Sequence, residues 1–193
     1  MAIDINKIWE RLQGVDIRGI VNIERQTVGK DKQPVVEIHF LTLEGALKDD
    51  QSLHCKMIVG VDDPEERPDD LAFIVSPVET CEAYSKKMAL FMDANGATIF
   101  GGYKWNPAKE HIWFRYCLPV SGSEAVFPDT ALLQRILRGM NNALLFPDVK
   151  TMKFSIEDDD MLSDEEKRAK IERLENIAES LLGPGNARED EGI

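Results

Sequence analysis

The chain reads as an α+β protein, with an antiparallel sheet of about five strands, helices packed on one face and a charged C-terminal helix. Three observations predict this. Apolar runs of period two cluster before Ser76 and again between Thr98 and Leu118. Runs of helical spacing fill Ser76–Asn95 and Asp129–Phe146. The stretches between them carry turn and cap residues.

At the N-terminal end, Ile5, Ile8, Trp9 and Leu12 fall on one helical face before Gly14, so a short helix docks against the sheet. Ile17, Gly19, Val21 and Ile23 alternate with mostly polar neighbours, as do Val36, Ile38 and Phe40. Leu53, Cys55, Met57, Val59 and Val61 do the same. These are three half-buried strands. Gly29-Lys30-Asp31-Lys32 is a hairpin turn between the first two, and Leu43 to Gln51 is a longer polar connection to the third. Leu71 to Val75 is a continuous apolar run, open to reading as a central strand or as the lead into the next helix.

Ser76 to Pro147 is the most informative stretch. Ser76-Pro77-Val78-Glu79 has the residues of a helix start, and Cys81, Tyr84, Met88 and Phe91 recur as one apolar stripe up to Asn95-Gly96. Thr98–Trp105 and His111–Leu118 then read as a hairpin around Asn106-Pro107-Ala108-Lys109-Glu110. Ile99, Tyr103 and Trp105 share one face of the first strand, and Ile112, Phe114, Tyr116 and Leu118 share one face of the second. Pro119 ends the pairing. After Ser121-Gly122-Ser123, Pro128-Asp129-Thr130 opens a helix with Leu133, Ile136, Leu137, Met140 and Leu144 facing the core, and Pro147 closes it.

The order helix, strand Ile99 to Trp105, strand His111 to Leu118 ending in Leu118-Pro119, Gly-containing loop and closing helix resembles the YbjN-like family, whose domain is similar in fold to type III secretion chaperones. The resemblance covers roughly residues 71–146. It implies a small α+β domain with an antiparallel sheet, helices on one face and a binding or adaptor role without catalysis. It carries over no functional residue. It also implies self-association, most simply as a twofold dimer.

Ser163-Asp164-Glu165-Glu166 is a capping-box signature, and Ile171, Leu174, Ala178 and Leu181 follow as a narrow stripe before Gly183-Pro184-Gly185. That stripe docks on this chain or on a second copy. The organisation is therefore one domain over residues 1–155, an acidic linker and amphipathic helix over 156–185, and a disordered polar tail over 186–193.

With 193 residues and 43% hydrophobic content the chain suits a globular domain. No apolar run approaches the roughly 20 residues of a spanning helix, and no signal peptide is apparent, so a cytoplasmic protein without membrane contact is expected. The net charge of −12 disfavours nucleic acid as a partner. The acidic runs Asp62–Glu66 with Asp69-Asp70, Glu157–Asp160 and Glu189–Glu191 read as solvated faces, or as surfaces that steer a basic partner. Cys55, Cys81 and Cys117 read as buried free thiols.

Motifs for chemistry are missing. His39, His54 and His111 stand on the polar faces of strands beside Glu37, Lys56 and Arg115, in no metal-binding spacing, and read as unrelated surface histidines. No cofactor or metal is implied. Asp158-Asp159-Asp160 lacks the rest of a calcium loop, and Gly101-Gly102 precedes no helix and is no phosphate loop. The expectation is a non-catalytic protein-binding or adaptor module, chaperone-like or regulatory, that holds another protein or peptide segment or a second copy of itself. The alternative is a small enzyme or ligand-binding domain with dispersed active residues. Trp113 and Arg115 lie opposite Ile112, Phe114 and Tyr116 on their strand, so they face a partner or a covering helix. With Ile171, Leu174 and Leu181 they are the candidate contact residues.

Overall fold

The structure, a computed structural model, describes residues 3–63, 65–80, 82, 85–120 and 128–182. Its elements run α1 (Ile5–Leu12), β1 (Ile20–Val28), β2 (Gln33–Leu41), α2 (Leu43–Lys48), β3 (His54–Asp63), β4 (Arg67–Thr80), α3 (Lys86–Ala94), β5 (Gly102–Asn106), β6 (His111–Pro119), α4 (Thr130–Glu157) and α5 (Asp164–Leu182). Among the described residues the sheet has six strands in the order β1-β2-β3-β4-β6-β5, every pairing antiparallel. The α+β class with its antiparallel sheet and C-terminal helix is as the sequence predicts. Leu71–Val75 is indeed central, since β4 pairs with β3 on one side and β6 on the other.

Alternation puts Ile38, Phe40, Met57, Val59, Phe73 and Phe114 on one face, where they form the main core with Ile8 and Leu12 of α1, Phe91 of α3, and Leu133, Ile136 and Met140 of α4. The N-terminal helix forms as expected, with Asp4 accepting from the Asn6 amide at 3.0 Å as its cap.

Five elements depart from expectation. The helix expected from Ser76 starts ten residues later, at Lys86, where Ser85 Oγ accepts from the Met88 amide at 3.1 Å. Ser76–Thr80 instead extends β4, because pairing with β6 resumes at Glu79↔Ile112 after a bulge. Pro77 falls in that bulge and past the last β3 pairing, Met57↔Val75, so the ladder needs no N–H from it. Of the expected stripe, Phe91 is buried, while Cys81 and Tyr84 lie outside the described residues.

The strand expected from Thr98 begins only at Gly102, and Ile99 is 81% exposed instead of sharing a face with Tyr103. A 3-10 turn over Asn95–Ala97 delays it. Asn95 then mimics a neighbouring strand, its Nδ2 donating to Tyr103 O at 3.0 Å while its Oδ1 accepts from Tyr103 N at 2.5 Å. Gly101, just before the strand, has φ +86, and a Cβ there would stand 2.7 Å from Arg115 O.

In β1, a bulge between Ile20 and Asn22 shifts the register. Ile17, Ile20 and Ile23 turn to the core, and Val21, expected beside Ile23, is 39% exposed. The polar connection after β2 contains α2, begun by Thr42, whose Oγ1 accepts from Gly45 N at 3.1 Å and donates to Leu53 O at 2.8 Å.

Pro147 does not close α4; it lies inside a helix of 28 residues. A proline at this position has no N–H for the carbonyl four residues back, that of Ala143. The Tyr103 hydroxyl takes its place, donating to Ala143 O at 2.5 Å from the core face of the edge strand β5. Burial pushes the phenol above its ordinary range, so the donor stays protonated. The Tyr103 ring is held edge-on to Phe91 at 4.9 Å and to Phe114 at 4.8 Å.

The continued α4 supplies the surface on which α5 packs. Ser163 and Glu166 make the expected capping box, with Ser163 N donating to Glu166 Oε2 at 2.8 Å and Glu166 N to Ser163 Oγ at 3.3 Å. Leu174 and Leu181 are buried with Leu43 of α2 and Leu145 of α4 in a second core cluster. The last turn of α5 is capped from afar. Leu181 O accepts from Gly19 N at 3.0 Å and from Asn141 Nδ2 at 3.4 Å. Residues 183–193, including the expected disordered tail, lie outside the described residues.

Candidate functional site

All the helices that build the main core lie on one face of the sheet. Val35, Ile58, Ala72 and Ile74 point to the opposite face and belong to neither core cluster. Val35 lies over Gly60, where any Cβ would come within 2.9 Å of Val35 Cγ1. Ile58 and Ile74 are directly paired and half-buried, and Ile74 is paired in turn with Arg115. The centre of this face is thus apolar and the strands alone carry it.

Trp113 and Arg115 stand together on it, both half-buried. The Arg115 guanidinium lies 5.7 Å from the Trp113 ring, Nε donates to Cys117 Sγ at 3.1 Å, and Nη2 pairs with Asp62 of β3. Neither terminal helix packs there: α1 seats on β1, β2 and α4, and α5 seats on α4 and α2. The other sequence candidates are elsewhere. Leu174 and Leu181 are covered by this chain and Ile171 is half-buried beside them, so the stripe of α5 docks in cis. It leaves a dimer without the free apolar stripe from which the sequence argued for one.

On the other flank of the face, Glu24 and Glu37 are direct cross-strand partners, and Lys56 Nζ donates to Glu37 Oε1 at 2.7 Å. That hydrogen bond holds the Glu37 carboxyl below its ordinary value against the opposing effect of burial, with His39 adding to it. His39 and His54 meet with ring centroids 4.7 Å apart, whereas His111 is separate, its Nε2 3.2 Å from Ser76 Oγ.

Titratable groups on the helix side offer little chemistry. Burial pushes the Cys55 thiol up to about 11, which leaves no thiolate at neutral pH. Asp148 of α4 is the exception. Its carboxyl is raised to about 6 by burial, then by the charges of Glu79 and Glu44, although the side chain still reaches solvent. The upward direction follows from the protein packed around the group and from its acidic neighbours.

Sequence reasoning found Trp113 and Arg115 through strand alternation and missed Asp62, Asp148 and the Glu24–Glu37 pair. The last was within reach, because a hairpin turning at Gly29–Lys32 already sets Glu24 opposite Glu37. Among the described residues no helix is long and apolar enough to cross a membrane. Comparison with family models, curated proteins and solved structures gives no match.

Proposed function

We propose that the protein is a non-catalytic protein-binding or adaptor module, chaperone-like in kind, that holds a segment of another protein on the helix-free face of its sheet. The observation that supports this reading is the one-sided packing. Ile58, Ile74 and Trp113 form an apolar strip that no helix of the described chain covers, and Arg115 is locked beside the tryptophan by Asp62. A tryptophan with a fixed arginine, once a partner desolvates it, is the composition that dominates binding energy at interfaces. The resemblance of residues 71–146 to YbjN-like domains, read from the sequence, implies the same kind of role.

The test is affinity purification from the native cell with the natural chain, Trp113→Ala and Ile58→Lys. Proteins retained by the natural chain and lost by both variants, at unaltered melting temperature, are the expected result. Equal capture by all three would remove the face from consideration. Light scattering on the same proteins separates a second copy from a foreign partner, since a dimer built on this face reverts to monomer in Trp113→Ala.

A ligand-binding or enzymatic reading rests on Asp148, whose raised carboxyl sits near Tyr103 and Cys55. Its discriminating observation is a small molecule whose affinity is lost in Asp148→Asn and kept in Trp113→Ala.

A further inference from the structure

Glu24 and Glu37 face each other across the β1–β2 ladder, an arrangement that destabilises a sheet when nothing positive lies between the carboxylates. His39, two residues on from Glu37 on the same face, aims its Nε2 at them. That atom is 2.8 Å from Glu37 Oε1 and 3.4 Å from Glu24 Oε1. The residue is only 9% exposed, yet Nε2 makes no hydrogen bond of acceptable geometry. Two oxygens therefore crowd the nitrogen from off its bonding axis.

Such crowding is what a shared ion produces. Ligands held about 2.0–2.2 Å from a tetrahedral zinc stand about 3.3–3.6 Å from each other, and none of them points at its neighbour. The three ligand atoms here lie within 4.8 Å of one another, and that arrangement is reached when the Glu37–His39 pair opens from 2.8 Å by about half an ångström and the widest pair closes. We propose that Glu24 Oε1, Glu37 Oε1 and His39 Nε2 form a binding site for a divalent first-row transition ion, with Zn2+ as the best fit.

The imidazole selects against Mg2+ and Ca2+, which take oxygen ligands. The ion would join the edge strand β1 to β2 and leave one coordination position for water or for a side chain of a bound partner. Lys56, donating to the same Glu37 oxygen, is the internal competitor for it. The set escapes every sequence motif because its ligands come from two strands and meet only through the hairpin register.

Calorimetric titration of the purified chain with Zn2+, and with Co2+ read by its visible d–d absorption, tests the site. One equivalent is expected to bind with the intense spectrum of a four-coordinate ion and to slow amide exchange along β1. Glu24→Gln, at a partly exposed position that the fold does not depend on, should weaken binding at least about tenfold, the scale already reached by losing outer ligand partners. His39→Gln should do the same, and Lys56→Met should tighten binding. Absence of stoichiometric binding, an octahedral Co2+ spectrum, or affinity unchanged in Glu24→Gln would each overturn the assignment.

Discussion

Replacing Tyr103 by Phe keeps the ring among Phe91 and Phe114 and removes only the hydroxyl that serves Ala143 O. The carbonyl is then buried without a donor, because Pro147 has no N–H to give it. Leaving a buried acceptor unsatisfied costs about 1–3 kcal/mol. The structure ties that cost to the proline. In a Pro147→Ala background the new amide can close the ordinary helical bond to Ala143, so removal of the hydroxyl should cost no more than about 1 kcal/mol, the net worth of a typical hydrogen bond. A coupling energy of about 1–2 kcal/mol is expected between the two substitutions. Urea unfolding of the four proteins of the cycle, monitored by circular dichroism and fluorescence, reads it from the midpoints at constant slope. Equal cost of Tyr103→Phe in both backgrounds would refute the substitution of a tyrosine hydroxyl for a missing helical amide.

Leu174→Ala should cost about 2–5 kcal/mol, as expected for a buried leucine, and should make α5 the first site of limited proteolysis; an unchanged cleavage pattern would contradict docking in cis. Asp148→Asn should stabilise the protein at neutral pH. Its carboxyl titrates higher in the folded chain than in the unfolded one, so the native state is favoured below the ordinary aspartate pKa and loses that advantage as pH rises through about 6. With solvent reaching the group, the screened gain should be below about 1 kcal/mol, and urea midpoints for the two proteins should converge in acid. If they diverge there instead, the direction is wrong. Gly139→Ala should destabilise by about 1–2 kcal/mol despite better helix propensity, because the added methyl overlaps the Phe100 ring, itself packed edge-on to Tyr116 at 5.5 Å. A rise in melting temperature would show that the ring yields freely.

Period-two patterns were legible wherever a strand has one buried face, as in Val36-Ile38-Phe40 and Ile112-Phe114-Tyr116, because only one register hides those side chains. Trp113 and Arg115 were placed on the opposite face by the same logic. The failures share a cause. Pro77 and Pro147 read as a helix start and a helix stop by local rules, but a bulge absorbs the first and a distant hydroxyl satisfies the carbonyl freed by the second. Ile99 read as strand until Asn95, four residues earlier, took over the pairing of Tyr103. Each turns on a hydrogen bond between segments that no local window contains. The same holds for Arg115 with Asp62 and for His39 between Glu24 and Glu37, whose partners are set by register.

The remote cap on α5 has a bearing on how the chain is made. Gly19 and Leu181 are joined by one hydrogen bond, and a side chain at residue 19 would crowd the carbonyl at 2.9 Å. At about 5–20 residues per second, a ribosome needs roughly 8–30 s to travel from one codon to the other. Through that interval the Gly19 amide has no partner at Leu181, and Leu43, joined late by Leu145, lacks its cover from α5. A nascent chain stalled ahead of α5 would thus present its sheet with Leu43 and Leu145 still open to water, an apolar end that only the last helix closes.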